Sequence, residues 1–194
     1  MSKLAKEKKV QIIKAAAKRF DKHGISKTTL NEIARDLRIG KATLYGYFTS
    51  KEDIFYSVLE WEGSQYLEEV KTIFDKEEIT IQDRFLDYFK SKENISLRYK
   101  LMFDSFLRVL DDRGLEIELA FVKTLLFNEE EFIKSVLIKA KRIKENALDH
   151  TLPLFIVLKS WGLSFGIKLH TLANSGNNFD LKETIIKEIN NYLI

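Results

Sequence analysis

Val10, Ile13, Ala17 and Phe20 recur at spacings of three and four, the face of an amphipathic helix, and this predicts a first helix from about Lys3 to His23. His23-Gly24 closes it, with a cation near the last carbonyls and a glycine suited to a left-handed cap. Ser26, Thr28 and Thr29 are candidate N-caps for the next helix. Glu32, three residues beyond Thr29, completes a capping box ahead of Leu30, Ile33, Ala34 and Leu37. After Arg38-Ile39-Gly40 a third short helix is expected from Lys41 to Phe48, with Leu44 and Phe48 on one face. Ser50 and Asp53 read as the cap and capping-box acid of a fourth helix, whose Ile54, Val58, Trp61 and Gln65, flanked by Phe55, Leu59, Glu62 and Tyr66, carry it to Phe74. Further helices are expected over Ile81 to Lys92, Ile95 to Leu110, Leu115 to Lys144, Leu152 to Ala173 and Leu181 to Leu193. One proline and eight glycines are too few for the turns a sheet requires, so the expected fold is all-α, with about nine helices.

Charge divides the chain where the helix pattern does not. Residues 1–51 carry 13 Lys and Arg against 4 Asp and Glu, a balance of +9, which leaves −6 for residues 52–194 within a net charge of +3. Of the 23 aromatic residues only Phe20, Tyr45, Tyr47 and Phe48 precede residue 52. This asymmetry predicts a basic domain, 1–51, that meets a polyanion, joined to an aromatic helical domain, 52–194, with another task. The chain has no cysteine, which excludes disulfides, thiol nucleophiles and thiolate-bound metals. His23, His150 and His170 form no metal-ligand pair at helical spacing, and neither a phosphate-binding glycine loop nor a nucleophile elbow occurs, so no catalytic residue, metal or cofactor is expected. The lysine-studded N-terminus lacks the layout of a secretory signal, and a cytoplasmic address is expected. Residues 152–172 approach membrane-spanning length, but Lys159 near their middle favours a buried or dimer-forming helix and no membrane partner.

Two short helices joined by a tight turn, after a longer helix and within a basic segment, have the form of a helix-turn-helix DNA reader. Lys41, Thr43 and Tyr47 can point outward while Leu44 and Phe48 point in. From Ile12 to Phe55 the chain resembles the N-terminal DNA-binding domain of the TetR family of bacterial regulators. The resemblance lies in Ile13-x-x-Ala16-Ala17-x-x-x-Phe20, Gly24, Thr28-Thr29, Ile33-Ala34 and the run Lys41-Ala42-Thr43-Leu44-Tyr45-Gly46-Tyr47-Phe48-Thr49-Ser50-Lys51-Glu52. It implies that Lys41, Thr43 and Tyr45 face bases and nearby backbone, while Thr28 or Thr29, Tyr47 and Lys51 hold phosphates of double-stranded DNA. The chemistry agrees, since hydroxyls and ammoniums donate well to phosphate oxygens. Other roles compete: Thr28 and Thr29 as helix caps, Tyr45 as half core. Two departures stand out. Arg38 occupies a turn position where the family commonly has glycine, and a left-handed arginine costs ~1 kcal/mol or more. Gly46 falls inside the expected third helix, at ~1 kcal/mol against alanine.

The same resemblance implies that the larger part receives a ligand and forms a dimer. Trp61, Tyr66, Phe103, Phe106, Phe121, Trp161 and Phe165 are the candidate lining of a cavity for a small, mostly apolar effector; a solid core is the competing role for each. Gly162 and Gly166, one helical turn apart, make a flat strip, and the homodimer interface is expected on the last two helices, with close packing within one subunit as the competing role of the strip. The expected function is a homodimeric repressor released from a palindromic operator by that effector. A helical ligand or lipid carrier with no DNA function is the alternative.

Overall fold

The computed structural model describes residues 3–140 and 151–173, with side chains described over 3–140 and 152–166. Nine helices occur among the described residues, and no strand: α1 (Lys3–His23), α2 (Leu30–Asp36), α3 (Lys41–Tyr45), α4 (Lys51–Phe74), α5 (Ile81–Lys90), α6 (Ile95–Arg98), α7 (Lys100–Leu110), α8 (Glu116–Lys139) and α9 (Thr151–Ala173). The helix expected over 181–193, and the stretch 141–144 expected to end α8, lie outside the described residues. None of the described helices is long and apolar enough to cross a membrane.

Local chemistry sets the boundaries. Gly24 takes φ +77° and its N–H bonds to the Phe20 carbonyl at 2.8 Å, so the expected left-handed cap ends α1. Thr29 and Glu32 form the expected capping box at the start of α2. Ser50 Oγ accepts the Asp53 N–H at 3.0 Å as expected, but the Asp53 carboxylate reaches back one residue further, to the Thr49 N–H at 2.8 Å. Two expectations are corrected. The stretch 95–110 is two helices, broken at Tyr99 (φ −130°, ψ 60°), because α7 makes a new N-terminus whose Met102 N–H bonds to the Glu62 carboxylate. The third helix stops at Tyr45 and not at Phe48: Gly46 is its C-cap, and a Cβ there would stand 3.3 Å from the Thr43 carbonyl oxygen. Gly46 therefore ends the helix and does not weaken its interior.

Packing groups the described residues into two compact units, the first drawn from 1–65 and 99–122 and the second from 66–98 and 123–194. In the first, α1 packs on α2 and α7, and α2 on α3. Ile12, Ile13, Ala16, Ala17 and Phe20 supply the buried face of α1, and Phe20 meets Phe55 edge-on at 5.6 Å between ring centroids. In the second, α5 packs on α9, and Phe74 gathers Phe85, Tyr88 and Phe132 at 4.9, 5.7 and 5.8 Å. Helix α9 is apolar nearly all round. It buries Ile156, Val157 and Trp161 on one side and exposes Leu154, Phe155 and Leu158 on the other.

Candidate nucleic-acid interface

A reading helix needs an anchored back and a free front, and α3 has both. Leu44 is buried beneath it and Phe48 is buried just past its end, while Lys41, Ala42, Thr43 and Tyr45 are exposed. Tyr45 is 47% exposed, so its ring belongs to the surface more than to the core. The Lys41 ammonium lies 5.6 Å from the Tyr45 ring centroid, near enough for the ring to steady the cation. Tyr47 and Lys51 are half-buried at the exit of α3 and the start of α4.

The turn that aims α3 is a Schellman motif. The Arg38 N–H bonds to the Arg35 carbonyl at 3.0 Å and the Ile39 N–H to the Ala34 carbonyl at 3.0 Å, which requires a left-handed residue at position 38. Arg38 supplies it at φ 52°, so the glycine is missing but its conformation is kept. Gly40 then enters α3 with extended backbone and no side-chain cap.

Thr28 and Thr29 have different surroundings. Thr28 is buried and its hydroxyl donates to the Gly24 carbonyl at 2.9 Å, which ties the end of α1 to the start of α2. Thr29 is exposed; its Oγ accepts the Glu32 N–H at 3.3 Å and donates to the Glu32 carboxylate at 2.9 Å. The Thr29 N–H also bonds to that carboxylate, and these contacts, with Arg19 3.3 Å away, hold the Glu32 carboxyl below its ordinary range. Arg19 donates twice to Asp36, at 2.7 and 3.2 Å, and its hydrogen bond lowers the Asp36 carboxyl. One guanidinium of α1 thus clamps both ends of α2.

Sequence reasoning passed over Arg19, and also a basic cleft of about 620 Å³ beside it that includes Lys14, Lys18, Lys22 and His23. The signal was present in the four-residue spacing of those lysines along α1.

Residues 12–58 match the tetR family of bacterial regulatory proteins. The likeness to that family lies in this stretch of the chain. It is 34% identical over 105 residues to an HTH-type transcriptional regulator of Staphylococcus aureus strain USA300, an alignment that takes in 53% of this chain and 51% of the relative. The chain thus spans about half the length of the curated relatives it matches. A transcriptional regulator from Cytophaga hutchinsonii superposes with a TM-score of 0.61 at 28% identity, over 94% of this chain and 93% of that one. The reduced form of E. coli NemR gives a TM-score of 0.68 over 95% and 96% of the two chains, and at 16% identity speaks to the fold alone. The TetR-family match takes in α2, α3 and the residues that aim them.

The candidate effector residues fall into separate groups. Trp61, Phe103, Phe106 and Phe121 lie in the first compact unit, the three phenylalanines buried and Trp61 half-buried with the Lys14 ammonium 5.9 Å from its ring. Tyr66, Trp161 and Phe165 lie in the second, where Trp161 stands 5.6 Å from Tyr66 and 6.5 Å from Phe165 between ring centroids. Gly162 and Gly166 are exposed on α9, each with room for a Cβ.

Proposed function

We propose that the chain is a DNA-binding transcriptional regulator: a homodimeric repressor that acts in the cytoplasm, holds a palindromic operator with two copies of α3 and lets go when a small, mostly apolar effector binds the larger helical part. The observation that carries this reading is the pairing of a family match over residues 12–58 with an α3 whose Lys41, Thr43 and Tyr45 stand free while Leu44 is buried. Lys41 can donate to a guanine edge and the Thr43 methyl can meet a thymine methyl, while Tyr45 faces base or backbone. Thr29, Tyr47 and Lys51 hold phosphates and set the register.

Dimer formation through α9 is supported by its outward stripe. Leu154, Leu158, Gly162 and Gly166 follow one another every four residues and all are exposed, so an apolar strip with a flat end faces away from the buried side. A second copy laid on it covers the strip. A dimer also makes the reading possible, because two recognition helices must stand about 34 to 36 Å apart, or a multiple of it, to enter successive major grooves.

Selection of bound duplexes from a random pool tests the proposal. An enriched inverted repeat is expected; a pool with none overturns the operator reading. Affinity for the selected site is expected to fall with salt at a slope of about 0.9 per phosphate neutralised, whereas a ligand carrier has no such slope.

A further inference from the structure

The larger part of the chain encloses an ammonium of its own. Lys92 sits in the turn between α5 and α6, and its side chain is wholly buried, as is the Glu129 carboxylate of α8. Lys92 Nζ lies 2.7 Å from Glu129 Oε1 and also donates to the Tyr66 hydroxyl. Three rings surround it, with centroids at 4.4 Å for Tyr66, 5.0 Å for Tyr88 and 4.2 Å for Trp161. The box is itself braced: Tyr88 donates to Glu129 Oε1 at 2.6 Å and lies 2.9 Å from Ser160 Oγ, and Trp161 Nε1 donates to Glu129 Oε2 at 2.8 Å.

Stability alone is a poor account of this arrangement, since a buried ion pair is commonly no better than apolar residues of the same volume. Aromatic faces around a cation, with a carboxylate behind, are instead what recognises an ammonium ligand. Here the walls and the occupant differ in how they are held. Tyr66, Tyr88, Glu129, Ser160 and Trp161 stand on the long helices α4, α5, α8 and α9, whereas Lys92 enters from a short turn between Ser91, half-buried, and Glu93, exposed. None of the wall residues belongs to that turn, so the lysine and the box are carried by different segments of the chain. The occupant's hydrogen bonds define the class of ligand. Glu129 Oε1 and the Tyr66 hydroxyl both take an N–H from Nζ, and a quaternary ammonium meets the rings but has no N–H to give.

We propose that the box of Tyr66, Tyr88, Trp161 and Glu129 is a binding site for a primary alkylammonium, and that Lys92 occupies it until such a ligand replaces its side chain. The regulatory consequence rests on the effector reading above and narrows it, from a mostly apolar molecule to an amine with an apolar body; the binding itself does not depend on that reading.

The 194-residue chain has two tryptophans, so its indole N–H groups give two NMR signals, and that of Trp161 is identified by its loss in Trp161→Phe. n-Butylammonium, the head of the lysine side chain itself, is expected to move the Trp161 signal saturably, and tetramethylammonium at the same concentration is not. In Lys92→Ala, with the resident competitor gone, n-butylammonium is expected to bind about tenfold more tightly or better. Should Lys92→Ala fail to fold, the wild-type titration decides alone: no saturable response of Trp161 to n-butylammonium overturns the site, and an equal response to tetramethylammonium overturns the ligand class. Operator binding followed in the same titration separates the two readings. A Trp161 response without operator release upholds the site and removes its regulatory role, release without a Trp161 response overturns the proposal, and a Trp161 response in a protein that binds no operator counts against the repressor reading only.

Discussion

Glu62 gives the folded protein a pH dependence of unusual sign. It lies on the buried side of α4, and its carboxylate accepts the Met102 N–H at 2.8 Å in the first turn of α7, where Tyr99 provides no side-chain cap. Burial lifts the carboxyl from an ordinary 4.5 to about 7; Asp21 and Asp104 push the same way, and the backbone N–H groups of Met102 and Leu101 oppose them. Between those two values the folded chain holds a proton that the unfolded chain has released. Stability from this group is therefore fully present below about 4.5 and is lost as pH rises toward 7, the reverse of the usual acid-side loss. Integrated over the rise, the loss between about pH 5 and about pH 8 is roughly 2.5 kcal/mol. Glu62→Gln keeps an oxygen for Met102 and has no charge to bury, so that slope should vanish. Urea unfolding of both proteins at one fixed protein concentration, stepped from about pH 5 to about pH 8, measures the difference and cancels every other titrating group. Parallel stability curves for wild type and Glu62→Gln refute the reasoning.

Arg38→Gly is expected to raise stability by about 0.5 to 1 kcal/mol, since it relieves a left-handed arginine while keeping the Schellman turn; a lower urea midpoint contradicts this. Thr29→Ala removes the N-cap of α2 and is expected to cost about 1 kcal/mol in urea unfolding, whereas Thr29→Ser keeps the hydroxyl and most of that stability. Lys41→Ala should change base preference in a binding-site selection while Tyr47→Phe weakens all operators alike, and equal effects of both on every sequence reject the division of roles. Glu129→Ala is expected to cost about 3 to 5 kcal/mol by stranding the Lys92 charge, and the double variant Lys92→Met with Glu129→Leu should recover most of it. A double variant as unstable as the single one shows that packing, and not the uncompensated charge, sets the loss.

The helix-turn-helix part of the protein was legible because local rules decide it. Thr29 with Glu32, Gly24 after His23 and the four-residue spacing of Leu44 and Phe48 each act within one turn of chain, and the first two formed as expected. Arg38 tested this hardest. A left-handed arginine is costly there, yet the turn keeps its 6→1 and 5→2 hydrogen bonds with Arg38 at φ 52°. Gly46 was misread for a related reason: helical spacing alone does not say whether a glycine sits inside a helix or at its exit, and only the fold places it at the C-cap of α3. Thr28 and Thr29 are neighbours of one residue type, and only the fold separates the buried hydroxyl from the exposed one.

The polar groups that give the rest of the chain its chemistry left fainter marks, and the reason is the reach of the forces involved. Glu62 stands on the apolar stripe with Phe55, Leu59 and Tyr66, a carboxylate where periodicity asks for a hydrophobe, so its burial had a local sign. Lys92 had none: beside Lys90 and Glu93, at the end of an expected helix, it reads as a solvated cation that favours the helix dipole. Glu129, first of three consecutive glutamates, reads as a solvated face. Their burial is decided by residues 37 positions apart meeting inside three aromatic rings, contacts that no window of one or two turns contains. Charge that the fold hides against its usual cost is the charge most informative about a binding site, because nothing in local propensity calls for it. By the same reasoning the exposed lysines of α1 say less about a ligand than Lys92, which is wholly enclosed.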